Sequence, residues 1–432
     1  MFKTLKNIWR VEDLRKRILF TLFVLFIYRI GSFVPVPGVN KEVLNQTNQQ
    51  GTELFGLLNT FSGGALHQFS IFALGIVPYI TASIIVQLLS MDVIPKLAEW
   101  AKQGEHGKKK SAQLTRYLTV VLAIVQAFAT SIGFNRMYST QMIPNATFAD
   151  YLLIAIVLTA GTSFLMWLGE QLTDKGIGNG ISLLIFSGIV ANIPSYIRSS
   201  AQSQFIQEGQ TFMNTLKTVI IFLVIVAIIV GVIFIQQAIR KIPVQYAKRV
   251  VGNKMYGGQN THIPLKINAA GVIPVIFAVS LLQFPTIIAG FWNNYDWAKW
   301  IMNNLRYDYP LGMVLYVLMI IGFTFFYTFV QMNPNQMAEN MKKNGGYIPG
   351  IRPGKATEKY LTRVMSRLTM TGALFLAAIS ILPIGLGTLA HLPSSVKIGG
   401  TSFLIVIGVA LDTMKTIESQ LIKRHYKGFI NK

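Results

Sequence analysis

Gly75-Ile76-Val77-Pro78-Tyr79-Ile80-Thr81-Ala82 and Gly271-Val272-Ile273-Pro274-Val275-Ile276-Phe277-Ala278 place a glycine, a proline, an isoleucine and an alanine at the same offsets in two aliphatic runs. At a further shared offset Gln87 meets Gln283. A second pair keeps the same order. Gly180-Ile181-Ser182-Leu183-Leu184-Ile185 resembles Gly400-Thr401-Ser402-Phe403-Leu404-Ile405, and Gly188 then meets Gly408.

These segments lie in apolar runs almost free of charge. Five such runs fall at about 18–34, 69–90, 114–134, 151–169 and 181–197, and five more at about 216–235, 269–291, 310–331, 368–390 and 401–414. Each is near the roughly 20 residues that cross a bilayer as a helix. The last is the shortest and ends by Asp412. The paired segments match run 2 to run 7 and run 5 to run 10, which divides the ten into two halves of five. Five is odd, so the second half enters the membrane from the opposite side, as in an inverted repeat whose pathway lies between the halves.

Composition agrees with this reading. Of 432 residues, 52% are hydrophobic and 13% charged, where a soluble chain is charged at about a quarter of its positions. That leaves no room for a large soluble catalytic domain and rules out disorder. The chain has no cysteine, which excludes disulfides, thiolate metal sites and cysteine nucleophiles.

The net charge of +22 suits either nucleic acid or a membrane protein with basic cytoplasmic loops. Position decides between them. The N-terminal tail, the loops after runs 2, 4, 6 and 8 and the C-terminal tail hold 31 of the 39 Lys and Arg residues. This loop-by-loop alternation predicts that both termini are cytoplasmic. Basic residues ahead of Ile18–Ile30 imitate a signal peptide, but no small-x-small cleavage site follows. Phe2, Leu5, Ile8 and Trp9 recur at helical spacing among basic residues, so 1–17 reads as an amphipathic helix on the membrane surface. A frayed tail is the plain alternative.

Catalytic signatures are missing. His67, His106, His262, His391 and His425 form no His-Glu-x-x-His motif and do not pair at metal spacing. Gly104-Glu105-His106-Gly107-Lys108 only imitates a phosphate loop. An ion-coupled carrier buries Asp, Glu, Lys or His near the midplane, yet the centres of the runs hold none. Arg29 lies near the outer end of run 1, and Asp92, Glu170 and Asp412 lie at cytoplasmic ends. The reading is no enzyme, no metal and no cofactor. A pathway walled by aliphatic side chains binds no part of an arbitrary polypeptide tightly and expels water when empty. A solute carrier with inverted repeats and a membrane scaffold remain as alternatives.

Specific motifs carry a family resemblance over essentially the whole chain. They are Phe61-Ser62-Gly63-Gly64-Ala65-Leu66 leading into Ser70–Ile80, Gly176-Ile177-Gly178-Asn179-Gly180-Ile181-Ser182, Ala270-Gly271-Val272-Ile273-Pro274, Tyr347-Ile348-Pro349-Gly350-Ile351-Arg352-Pro353-Gly354, and Gly399-Gly400-Thr401-Ser402. With these the chain resembles the SecY family, the large subunits of the bacterial protein-translocation channel.

The resemblance implies an all-α membrane protein of ten transmembrane helices, in two inverted halves around an hourglass pore. The halves would span 18–200 and 201–414, with cytoplasmic loops at about 236–268 and 332–367 and a tail at 415–432. It implies a pore ring of Ile76, Ile80, Ile185, Ile189, Ile276 and Ile405. It implies a plug over about 54–68, with Leu57, Leu58, Asn59, Thr60, Phe61, Ser62, Gly63, Gly64, Ala65, Leu66 and His67 at its centre. A plain extracellular loop is the alternative for that stretch. A lateral gate is implied between helices 2–3 and 7–8, where Gln87 and Gln126 are candidate tuning residues. Arg352, Arg240 and Arg249 become candidates for docking a motor ATPase or the ribosome, with topology charges as the plain alternative. The implied partners are the small membrane subunits SecE and SecG, the SecA motor, the ribosome, signal sequences and preproteins, and membrane lipid. The implied location is the bacterial plasma membrane.

Overall fold

A computed structural model describes residues 11–39, 56–90, 94–137, 143, 147–205, 211–246, 249–251, 254–256, 260–289, 292, 295–306, 309–389 and 394–430. The expected surface helix (1–17) lies outside these up to residue 10, and so do residues 54 and 55 of the expected plug.

Each apolar run lies in or overlaps a helix. In the first half these are α1 (Glu12–Gly31), α3 (Val77–Leu89), α5 (Gly104–Met137), α6 (Phe148–Lys175) and α7 (Gly180–Phe205), with short α2 (Gly56–Phe61) and α4 (Pro95–Lys102) between them. In the second half they are α8 (Thr211–Gln237), α9 (Ile273–Ala289), α11 (Pro310–Gln331), α13 (Lys355–Leu389) and α14 (Ser394–Ile430). Short α10 (Asp296–Asn304) and α12 (Pro334–Lys343) complete the set. Among the described residues four helices are long and apolar enough to cross a membrane, at 104–133, 148–175, 310–343 and 355–382. Shorter apolar helices occupy 77–89, 180–195, 222–237 and 273–286.

The second run departs from expectation. It is helical only from Val77, and residues 69–76 form turns. Phe69 and Gly75 have φ of 43° and 57°, a region in which a right-handed helix cannot start. Thirteen residues rise only about 20 Å, less than a bilayer core of about 30 Å. Non-helical backbone at such depth is stable only inside protein, and Phe69, Phe72 and Ala73 are buried to 2% exposure or less. The duplicated segment behaves alike. Gly271 has φ 66°, and α9 opens on Ile273-Pro274 just as α3 opens on Val77-Pro78. Proline suits the first helical turn, where its missing N–H costs no bond.

The fold is not purely helical, as the sequence reading expected it to be. Between α8 and α9 the chain forms β1 (Ile239–Tyr246), β2 (Arg249–Val251), β3 (Lys254–Tyr256) and β4 (Asn260–Lys266), and β5 (Gly346–Tyr347) joins from the later loop. One sheet has the order β4-β1-β5, with Ile239 opposite Lys266 and Gln245 opposite Tyr347. Buried Ile242 and Val244 alternate with exposed Lys241 and Pro243, the period of a half-buried strand. They form a second core with Leu265, Met341, Ile348, Leu361 and Met365. This core ties the sheet to α12 and to the outer turns of α13.

The two halves meet along two lines. On one, α9 packs against α3 and α5; on the other, α7 packs against α8 and α14. The main core fills the space between. The outside is apolar as well: Phe23, Phe26, Phe148, Phe234 and Leu318 are each more than half exposed. Apolar patches of this extent mark a surface that meets lipid or another chain.

Candidate functional site

The main core includes an aliphatic centre in which the expected ring residues are buried. Ile80 on α3, Ile185 and Ile189 on α7, Ile276 on α9, Ile405 on α14 and Ile76 just before α3 are each at most 8% exposed, and all fall in one hydrophobic cluster. Four helices from both halves contribute to it. Ile76 also reaches the corner between α6 and α7: its Cδ1 lies 3.6 Å from where a Cβ on Gly169 would stand, beside Ile181 and Leu184.

The segment expected to form a plug is a helical turn, α2, followed by tight turns. Gly63 and Gly64 carry φ of 70° and 87°, which glycine adopts without steric cost. The turns are tied internally: Gly64 N–H donates to Asn59 O (2.8 Å) and His67 N–H to Asn59 Oδ1 (2.9 Å), while Ser62 Oγ accepts from Leu66 N–H (3.2 Å). Thr60, Phe61, Ser62, Ala65 and Leu66 are buried. The segment packs on α7 and α14. A Cβ on Gly63 would stand 2.9 Å from the Cα of Gly188, so the two backbones touch. A Cβ on Gly64 would stand 3.1 Å from Asn192 Oδ1. From the other side Arg29 Nη1 donates to Gly63 O at 2.7 Å, with its guanidinium 4.7 Å over the Phe33 ring. Burial pushes the His67 imidazole below its ordinary pKa. The side chains of Leu57 and Leu58 lie outside the described residues.

Gln126 on α5 is 3% exposed and Gln87 on α3 is half-buried. Two polar side-chain atoms of α9, Gln283 Oε1 and Ser280 Oγ, are buried and have no hydrogen-bond partner among the described residues. The sequence carried a signal for Gln283, because it sits at the offset of Gln87. Nothing in the pattern marked Ser280.

On the side expected to be cytoplasmic, a cavity of about 280 Å³ opens where α7 and α9 begin and α8 and α11 end, beside the middle of α14. Two of the motifs that carry the family resemblance line it, through Gly178, Asn179 and Ser182 and through Ala270–Ile273. Arg240 is exposed on β1, opposite Leu265. Arg352 is exposed on a turn between Gly350 (φ 80°) and Gly354 (φ 100°), and its carbonyl accepts from Thr357 Oγ1 at 2.9 Å. Arg249 lies on β2 opposite Tyr256, and its side chain lies outside the described residues. The loop arginines are therefore separated from the aliphatic centre.

Apolar helices with apolar outer faces, packed over a buried aliphatic core into which a short clasped segment folds, define a helical membrane protein. The SecY family profile matches residues 70–414, and the chain belongs to the SecY family. It is 60% identical over 432 residues to the protein translocase subunit SecY of Halalkalibacterium halodurans, covering all of both chains. It is 57% identical over 431 residues to the protein translocase subunit SecY of Bacillus subtilis, again at full coverage. Among solved structures it is similar to a protein-conducting channel (TM-score 0.60, 20% identity, 94% of this chain and 92% of that one). It is also similar to a yeast Ssh1 complex bound idle to the 80S ribosome (TM-score 0.64, 15% identity, 93% and 89%). A third structure is of a SecY protein whose plug domain stabilises the closed state of the translocation channel and maintains a membrane seal (TM-score 0.61, 19% identity, 94% and 92%). Membership places the chain among membrane proteins of protein translocation.

Proposed function

We propose that the chain is the pore-forming subunit of a protein-conducting channel in the bacterial plasma membrane, with ten spans in two inverted halves around an hourglass pore and both termini cytoplasmic. Unfolded preproteins pass between the halves. Ile76, Ile80, Ile185, Ile189, Ile276 and Ile405 form the constriction, residues 54–68 the plug, and the α9 seam with α3 and α5 the lateral gate. Apolar signal sequences leave through that gate into lipid. SecE and SecG flank the channel, and SecA or the ribosome docks on the basic loops that carry Arg240, Arg249 and Arg352.

One observation carries the reading. Six isoleucines from two halves of the chain share a single buried cluster, with no Asp, Glu, Lys, Arg or His within six residues of any of them in the sequence. Aliphatic walls accept a moving chain because they form no hydrogen bond to it, and they shed water when it leaves. The reading needs no covalent chemistry from the protein.

The test is conductance at rest. Ile80→Ser, Ile185→Ser and Ile276→Ser together, and separately a deletion of residues 57–67, should each let ions through vesicles that the wild type keeps tight. Tight vesicles from both variants, with the protein inserted, overturn the constriction and the plug.

A further inference from the structure

The segment between α9 and α11 gathers aromatic residues. Three of the chain's six tryptophans, Trp292, Trp297 and Trp300, fall here with Tyr295 and Tyr309. All five are exposed, by 45–59%. The rings of Trp292 and Trp297 meet at 5.9 Å, and the Arg306 guanidinium stands 5.6 Å over the Tyr309 ring. A patch of exposed rings is a liability in water. Trp and Tyr collect instead where a membrane meets water, because each ring is apolar and carries one polar tip.

The helix α10 sorts its residues onto three faces. At 3.6 residues per turn, Trp297, Trp300 and Ile301 share one face, Asp296, Lys299 and Asn303 a second, and Ala298 and Met302 a third. Ala298 is buried and marks the side turned to the protein, where α10 packs on α9 and α11. Asp296, Lys299 and Asn303 are exposed, as suits a face in water. A helix on a soluble surface needs only those two faces. The aromatic face calls for a third medium.

The position of α10 says which medium that is. It joins the end of α9 to the start of α11, a helix long and apolar enough to cross a membrane. The link to α11 is tight: Tyr309 N–H donates to Arg306 O at 3.1 Å, and a Cβ on Gly312 would strike the same carbonyl. Beyond Tyr309 the exposed side chains of α11 are Leu311, Val314 and Leu318, spaced along one side of the helix. Rings at the end of a span and aliphatic chains along it follow the order of a lipid-facing surface, from headgroups to hydrocarbon.

We propose that α10 is a lipid anchor. It lies along the outer surface of the membrane, with Trp297, Trp300 and Ile301 in the boundary between headgroups and acyl chains and its polar face in water. Its partner is phospholipid, not protein. The anchor fixes the depth of the outer ends of α9 and α11. It needs a membrane but no conducting pore, so it stands apart from the channel reading.

The experiment uses the full-length protein with its small subunits in phospholipid vesicles. Tryptophan emission is recorded for the wild type and for the triple variant Trp292→Phe, Trp297→Phe and Trp300→Phe; the difference is the emission of these three rings. An interfacial helix sits about 5–10 Å into the boundary, so lipid brominated high on the acyl chain should quench the difference about twofold more than lipid brominated near the chain end. Iodide in the water should quench it least. Quenching by iodide and not by lipid puts the rings in water. Quenching by neither covers them with another protein chain. Equal or stronger quenching from the chain ends buries them in hydrocarbon. Each of these three results overturns the proposal. Where the triple variant fails to insert, single cysteines decide, since the chain has none of its own. A nitroxide on Trp300→Cys should collide more often with dissolved oxygen than with a nickel chelate in the water, and one on Asn303→Cys the reverse. The same order at both positions overturns the anchor.

Discussion

Replacing Arg29 by Met should loosen the plug without touching the constriction. Arg29 joins α1 to the Gly63 carbonyl at 2.7 Å. A hydrogen bond from a charged donor contributes about 1.5–3 kcal/mol. Arg29 is half-buried, so water screens part of that, and about 1–2 kcal/mol is what the seated plug would lose. With RT near 0.6 kcal/mol, the ratio of unseated to seated plug rises about 5- to 30-fold. The assay is ion flux through vesicles or planar bilayers with no polypeptide present. Arg29→Lys keeps the charge but not the planar fork and should fall between wild type and Arg29→Met. Gly63→Ala should leak at least as much, because φ is 70° there and the added carbon would press on the Gly188 backbone at 2.9 Å. Should Arg29→Met stay as tight as wild type in vesicles where deletion of 57–67 leaks, the clasp contributes nothing and the argument fails.

Acid should loosen the same segment. Burial holds the His67 imidazole below its ordinary value of 6.5, so the unseated plug binds the proton more tightly. Seating is then strongest above about pH 6.5 and weakens as pH falls below it; leak should rise between pH 7.5 and 5.5, and His67→Gln should flatten that rise. At the start of α6, the Asp150 carboxylate accepts from Thr147 Oγ1 (2.7 Å) and Thr147 N–H (2.9 Å), a capping box at the first turn. Asp150→Ala should therefore lower the thermal midpoint in detergent, read by the loss of helical signal on heating. Arg352→Glu should block motor-driven secretion of a preprotein while the protein stays assembled, since Arg352 is exposed and only its carbonyl is engaged; normal secretion would return it to the topology charges.

Much of the architecture was legible because membrane helices write themselves in composition. Ten apolar runs each meet a helix, and the matched glycines Gly75 and Gly271 share one backbone conformation. The second matched pair is alike in another sense: Gly188 and Gly408 both lie where a Cβ would crowd a neighbour, the Gly63 N at 3.0 Å and Val272 Cγ1 at 2.7 Å. Helix ends were less legible. Apolarity at 69–76 looked like the start of a span, but the left-handed backbone at Phe69 and Gly75 keeps it in turns. The sheet was missed because the charged loop was weighed by charge alone; the alternation of Lys241-Ile242-Pro243-Val244 was there to be read. Within the site, the isoleucines and the plug came by resemblance to a family. The Arg29–Gly63 bond carries no local pattern. It arises from residues that tertiary folding brings together, and pairing across 34 positions is invisible to periodicity.

The sheet and α13 together make a lever. From Lys355 to Leu382 the helix runs 28 residues, about 42 Å, so about 12 Å of it projects beyond a hydrocarbon layer of about 30 Å. Its outer turns are welded to β1 and β4 through Leu361, Met365, Ile242 and Leu265, while its inner turns lean on α11 and α14. No proline interrupts it before Pro383. The hairpin is therefore tied through a single helix to α14, which carries Ile405, with Gly372 the one glycine between Lys355 and Leu382 along that tie.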